Sequence, residues 1–270
     1  MPGRNEPFIT LTTDFGLKDP FAGIMKGVIL NINPEVRIID ISHNVSPQNI
    51  IEASLILRDS FRFFPEKTIH VAVVDPGVGS LRRPILVVTS KYYFIGPDNG
   101  IFSFAYEDEH GVIYLTAEHY FLKSEDTTFH GRDIFAPVAG WLSKGVPADN
   151  FGSAIKDYTK IIFPEPEKIS DELIDGEIIY VDNFGNAASN ISRKEIGDLT
   201  SEPSNLKILI KDMEIKGINK FYAQAFDKGP SAIINSSGLL EIYIFQGNAE
   251  KYLGLIKGDR IKLIVSRESS

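Results

Sequence analysis

Through about residue 155 the chain alternates short apolar runs with stripes at helical spacing. Phe8–Thr13 reads as an opening strand, after which Phe21, Ile24, Met25, Val28 and Ile32 form a stripe at helical spacing, closed by Asn33-Pro34. Residues 38–41 predict a second strand. Ser46-Pro47 predicts an N-cap with proline at the first helical position, and Ile50, Ala53, Leu57 and Phe61 give that helix its buried face. Residues 69–74 are apolar apart from His70, as in a strand covered on both sides. Residues 85–88, 92–95 and 112–115 read as further strands, and 131–142 as a helix that Pro137 either kinks or starts. This alternation predicts an α/β N-terminal domain around a central, mostly parallel sheet.

Between residues 158 and 176 the texture changes, and Phe163-Pro164-Glu165-Pro166-Glu167 reads as a linker. Beyond it come short β segments at 177–181, 207–210, 232–235, 239–245 and 260–265. Turns such as Gly185-Asn186, Ser237-Gly238 and Lys257-Gly258-Asp259 separate them, which predicts a small all-β, barrel-like C-terminal domain. The expected organisation is an α/β domain over 1–160, a linker over 161–175 and a β-rich domain over 176–270.

Composition narrows the function. The 270 residues are 43% hydrophobic, enough for a real core, and no apolar run approaches the roughly 20 residues of a membrane span. Met1-Pro2-Gly3-Arg4-Asn5-Glu6 has no signal-peptide character, so a cytoplasmic location is expected. With no cysteine there are no disulfides, thiolates or sulfur ligands, and no His-rich spacing points to a metal. A net charge of −8 without a dense Lys/Arg run argues against a nucleic-acid partner and for a small molecule.

Ligands of open α/β sheets collect beyond the carboxyl ends of strands, and three polar turns stand at such positions. In Thr12-Thr13-Asp14-Phe15-Gly16, Asp14 reads either as an acceptor for the paired hydroxyls of a ribose or as a cap of the next helix. Asp75-Pro76-Gly77-Val78-Gly79-Ser80-Leu81-Arg82-Arg83 brings an acid near two guanidiniums, either around a ligand or as a tight turn with a surface ion pair. It lacks the lysine, hydroxyl and glycine spacing of a P-loop. Thr127-Thr128-Phe129-His130-Gly131-Arg132-Asp133 sets an imidazole ahead of a helix. His43, His70, His110 and His119 read as structural or solvated. Farther on, Asp182-Asn183-Phe184-Gly185-Asn186 and Asn235-Ser236-Ser237-Gly238 are either hairpin turns or a surface that reads adenine by amide and ring and a carboxylate by hydroxyls.

With Ser46-Pro47-Gln48, Gly96-Pro97-Asp98-Asn99-Gly100 and Gly247-Asn248-Ala249, these turns form an ordered set that resembles the S-adenosyl-L-methionine hydroxide adenosyltransferases, relatives of fluorinase and chlorinase. The likeness covers nearly the whole chain. It implies hydrolysis of S-adenosyl-L-methionine to adenosine and L-methionine, without a separate cofactor, by a homotrimer whose active sites lie at subunit interfaces. It implies that Asp14 holds the ribose diol, that Phe184, Asn186, Tyr222 and Ala249 surround adenine, and that Phe221 is the alternative to Tyr222. Asp182 would take the methionine ammonium, and Ser236 with Ser237 its carboxylate. Asp75, Arg82 and His130 would surround the attacking water, with Arg83 the alternative to Arg82. Asp75 stands where the halogenases have a tyrosine, Gly131 where fluorinase has its halide-binding serine, and Gln48 where it has a tryptophan, and these differences favour water over halide. A halogenase and a non-catalytic adenosine- or S-adenosyl-L-methionine-binding module remain the alternatives.

Overall fold

The computed structural model describes residues 6–123, 128–226 and 229–266, and the chain divides into two compact units, one through residue 162 and one from residue 163. The first contains β1 (Phe8–Thr13), α1 (Phe21–Ile32), β2 (Arg37–Ser42), α2 (Ile50–Ser60), β3 (Ile69–Val73), β4 (Pro84–Thr89), β5 (Tyr93–Pro97), β6 (Glu109–Leu115), α3 (Ala136–Ser143) and β7 (Gly152–Ile155). Its sheet runs β2-β1-β3-β5-β4-β6-β7. The sheet is mixed: β2, β1, β3 and β5 pair in parallel, while β4, β6 and β7 join antiparallel. The reversal is forced at β4–β5, where Thr89 N donates to Tyr92 O at 3.0 Å across a turn far too short for a parallel crossover.

Both faces of the sheet are covered. Val71 and Val73 of β3 join a core with Met25 and Ile29 of α1 and Val138 and Ala139 of α3. The intervening Ala72 packs on the opposite side with Ala53 and Leu57 of α2 and with Phe94 and Phe102. This alternation within one strand buried throughout is the signature of a sheet centre covered on both faces.

Two helix starts differ from the pattern reading or resolve it. Ser46-Pro47 does not open α2. Gln48 has φ +64, which interrupts any helix, and Asn49 is the cap, its side chain accepting from Glu52 N at 3.1 Å. Pro137 marks the start of α3 rather than a kink within it, and residues 131–135 before it form a π-helical turn.

The second unit contains β8 (Glu167–Ser170), β9 (Leu173–Val181), β10 (Ala187–Ser192), α4 (Arg193–Leu199), β11 (Leu206–Ile210), β12 (Met213–Lys216), β13 (Pro230–Ile234), β14 (Leu239–Ile244), α5 (Ala249–Leu253) and β15 (Arg260–Val265). Its antiparallel sheet, ordered β12-β11-β15-β9-β10-β14-β13, curls into a nearly closed barrel-like layer around Ile178, Ile191, Ile208, Leu240, Ile242 and Leu263. β8 lies inside the stretch expected to be linker and pairs with β9 as an exposed edge strand. Among the described residues no helix is long and apolar enough to cross a membrane.

Candidate active site

Parallel β1 and β3 set Thr13 opposite Val73, so the turns carrying Asp14 and Asp75 leave the sheet side by side at its carboxyl edge. Phe15 N donates to Thr13 Oγ1 at 3.3 Å, and Gly16, at φ +68, donates its N–H to His43 O at 2.7 Å. His43 is buried and its Nδ1 bonds Thr13 Oγ1 at 2.8 Å, a structural role. Asp14 does not cap α1, whose cap position is Pro20. Its Oδ2 instead accepts the backbone N–H of Gln48 at 2.8 Å.

The 75–83 loop folds back on itself. Val78 N donates to Asp75 O and Ser80 N to Gly77 O. A Cβ at Gly77 would lie 3.2 Å from Arg82 Cγ, so glycine there leaves room for the arginine stem. Arg82 Nε donates to Asp75 Oδ1 at 2.8 Å and Nη2 to Asp75 Oδ2, a bidentate pair whose side chains are only 9% and 5% exposed. Nη2 also reaches His130 Nδ1 at 2.7 Å, and the guanidinium lies over the Phe135 ring, 5.4 Å from its centre. Arg82 Nη1 is buried with no hydrogen-bond partner among the described residues. Arg83 points elsewhere, to Asp98 and Asp157.

These contacts set the state of the imidazole. A guanidinium only donates, so His130 Nδ1 accepts and the neutral ring carries its proton on Nε2. Burial, followed by the positive charge of Arg82, holds the His130 pKa below its usual 6.5, against the opposing pull of Asp75 and Asp133. Asp14, Gln48, Asp75, His130 and Gly131 line one cleft of about 320 Å³, the size of a small-molecule pocket. Arg82 lies behind that wall. Phe15 and Phe129 also line the cleft, and their rings meet each other and that of the exposed Phe21 edge to face at 5.3–5.7 Å. Thr128 also lines the cleft, while Thr127 of the same motif lies outside the described residues.

In the second unit Asp182 Oδ1 accepts from Phe184 N at 2.9 Å and Asn186 N at 2.8 Å, and Oδ2 accepts from Asn186 Nδ2 at 3.0 Å. This ties the turn down and leaves the Phe184 ring 73% exposed. The turn abuts the start of α5. Glu250 N donates to Gly185 O at 2.9 Å, and any Cβ at Gly185 would collide with the Asn248 side chain. Ala249 points into the core, so only its backbone faces the turn's side. Exposed Ser236 and Ser237 sit in a turn organised by Asn235, whose Oδ1 accepts from Ser237 N and Leu239 N.

One residue here had no role in the sequence reading. Glu241 is buried and accepts from Tyr222 Oη at 2.9 Å and Asn235 Nδ2 at 3.0 Å, so it joins the aromatic and serine sides of the surface. Burial, reinforced by the nearby Asp182 charge, raises its pKa even though both hydrogen bonds favour the carboxylate. Phe221 remains exposed beside Tyr222. Among the described residues no three His, Asp or Glu side chains are grouped to hold a metal ion.

With this geometry in hand, the comparisons with known proteins agree across both units. Residues 9–152 match the model of the SAM hydroxide adenosyltransferase N-terminal domain, and residues 176–262 match that of its C-terminal domain. A protein of Methanocaldococcus jannaschii called (R)-S-adenosyl-L-methionine hydrolase is 37% identical over 95% of each chain. A fluorinase of an Actinoplanes species is 28% identical, covering 73% of this chain and 75% of its own. A crystal structure of an uncharacterized conserved protein from Thermotoga maritima superposes with a TM-score of 0.88 at 33% identity, covering 95% of this chain and 99% of that one. Matched in both units and over nearly its full length, the chain belongs to the SAM hydroxide adenosyltransferase family of enzymes.

Proposed function

We propose that this protein hydrolyses S-adenosyl-L-methionine to adenosine and L-methionine by attack of water on the ribose C5′ carbon. The observation that carries this reading is the contact of Asp75, Arg82 and a neutral His130 behind one cleft that also presents Asp14. A new O–C5′ bond forms as the C5′–S bond breaks, and its electron pair leaves with sulfur as a neutral thioether. The leaving group therefore needs no acid, and the water is the reactant that needs help.

His130 presents Nε2–H as a donor that fixes the water's orientation, because its Nδ1 is already engaged by Arg82. Asp75 is the anionic acceptor for the proton the water loses, which then passes to solvent. Arg82, held against Asp75 and His130, is the positive charge that stabilises hydroxide character as the water loses its proton. Asp14, held by Gln48, takes the ribose diol. Phe184, Asn186 and Tyr222 take adenine, Asp182 the ammonium and the Ser236–Ser237 turn the carboxylate. A neighbouring subunit in a homotrimer would supply that surface.

Water is favoured over halide by packing as well as charge. A Cβ at Gly131 would lie 2.7 Å from the Phe129 ring and 3.1 Å from Met25 Sδ, leaving no room for a serine without moving the ring. Incubation with S-adenosyl-L-methionine in ¹⁸O-labelled water tests the proposal. Label in the adenosine 5′-hydroxyl is expected. A 5′-halogenated nucleoside in halide buffer, or tight adenosine binding with no methionine released, would overturn it.

A further inference from the structure

The Gly96-Pro97-Asp98-Asn99-Gly100 turn takes no part in the chemistry above, yet it leaves β5 at the same sheet edge as the Asp75 loop, since β3 and β5 are parallel neighbours. Asn99 Nδ2 donates to Val74 O at 2.9 Å, on the residue just before Asp75, while its Oδ1 accepts from Ile101 N at 3.2 Å. Asp98 holds the other end of the loop. Its Oδ2 accepts from Arg83 Nε at 3.0 Å and Nη2 at 2.7 Å, and its backbone N–H donates to Arg83 O at 2.8 Å. Asp98 Oδ1 is filled by Thr159 N at 2.7 Å, and the carboxylate is only 3% exposed. The turn itself is wedged in place. A Cβ on Gly96 would fall 2.4 Å from Ala72 O, and Gly100, at φ +90, would meet Ile161 at the same distance.

Two adjacent residues of one fixed turn thus grip the residue before Asp75 and the residue after Arg82. Between those grips residues 76 and 78–81 are exposed, and the hydrogen bonds of Val78 N and Ser80 N lie within the loop, so the 98–99 turn is what ties its two ends to the sheet. We infer that Asp98 and Asn99 are positioning residues that set the separation of Asp75 and Arg82 and, through Arg82, its hold on His130. A misplacement of about 1 Å can cost roughly 100-fold in turnover, so a brace of this kind matters to the rate without touching the substrate. For its kinetic consequence the inference rests on the hydrolysis proposed above; for its geometric consequence it does not.

The test uses the full chain with Asn99→Asp, which keeps the shape but turns an oxygen toward Val74 O, and Asp98→Asn, which removes the charge that Arg83 meets. In both, kcat for S-adenosyl-L-methionine is expected to fall about 10- to 100-fold with KM within about threefold. The His130 titration followed by NMR should move upward, because Arg82 leaves Nδ1 while Asp75 and Asp133 still face the ring. Asp157→Asn, which touches Arg83 from an 80% exposed position, should change neither readout. Folded variants that keep the parental kcat and His130 titration would sink the inference. If the buried substitutions do not fold, Arg83→Gln must move His130 in the same direction, and an unmoved titration there is equally fatal. If the protein proves not to hydrolyse the substrate, the titration still decides, so the two proposals fail separately.

Discussion

In the first unit the cleft's polar groups are satisfied across long stretches of chain: Gln48 reaches back 34 residues to Asp14, and Arg82 reaches forward 48 to His130. In the second unit the Asp182 carboxylate and the Asn235 side-chain oxygen are instead satisfied within their own turns. Asp182 binds residues two and four positions on, and Asn235 does the same. Groups cross-linked over long range cannot move independently, which suits them to hold charges about a breaking bond. Local turns instead fix only themselves and leave Phe184 and Phe221 exposed, which suits them to add binding area. The contrast predicts that damage to the first unit's set appears in kcat and damage to the second unit's turns in KM.

The sharpest way to break the contrast is to remove a member of the cross-linked set. His130→Ala, Asp75→Asn and Arg82→Met should each lower kcat by about 10²–10⁴-fold, with substrate affinity by calorimetry within a few-fold of the parent. Loss confined to affinity would show that these residues bind rather than react. Double variants should cost far less than the product of the singles, because one missing partner already disables the unit.

The next effect follows from the protonation state of His130. Its pKa is lowered, so the ring is neutral at pH 7 and becomes charged only below its usual 6.5. Protonation at Nδ1 would set an imidazolium against Arg82 and break the contact. Activity should therefore fall toward acid, about tenfold per pH unit, with a kcat midpoint below about 6.5. Arg82→Met removes the repulsive charge, so the His130 midpoint by NMR should rise in that variant. A midpoint in the native protein above the ordinary histidine value would contradict the arrangement.

On the binding side, Phe184→Ala should raise KM about tenfold, the equivalent of ~1–2 kcal/mol of lost base stacking, while kcat stays within about twofold. Thermal stability should not change, because the ring is largely exposed. A comparable loss in kcat would erase the distinction between the two regions.

How much of this could be read from the sequence depended on whether a signal was local. β1, α1 and β3 were legible as elements from their apolar periodicity, although the face that α1 buries is Ala22, Met25 and Ile29, while Phe21 and Ile24 of its apolar stripe are exposed. The α2 start was not, because Gln48 takes a left-handed conformation while its N–H binds the distant Asp14. The choice between Arg82 and Arg83 is explained by the extended run into β4, which sends neighbouring side chains to opposite sides: one to Asp75 and His130, the other to Asp98. Asp98 and Asn99 were visible as part of a motif, but their grips on Val74 and Arg83 exist only once β3, β4 and β5 are paired. β10 escaped because Ser189 and Asn190 interrupt its apolar pattern. Inside the barrel Ser189 Oγ bonds Leu240 O and Asn190 Oδ1 bonds Glu177 N.

Glu241 shows the limit most clearly and gives the smallest expected effect. A lone acid in β14 reads as a solvent-facing position, but this one is buried between Tyr222 and Asn235, and its pKa stands above the usual 4.5. Below that value folded and unfolded chains are both protonated and the burial of a charge costs nothing. As pH rises, the unfolded chain ionises first, so stability is lost from 4.5 upward until the folded-state pKa is passed. Glu241→Gln does not ionise, and its amide still accepts one of the two hydrogen bonds. Its melting temperature relative to the parent should therefore climb as pH is raised from about 4 through that window, by a few degrees at most. The Tyr222 hydroxyl can turn to accept from the new amide, so KM should change less than in Phe184→Ala. A difference in melting temperature that falls with rising pH would mean the carboxylate is better solvated in the fold than in the open chain, and that the second unit's surface has no buried charge at its centre.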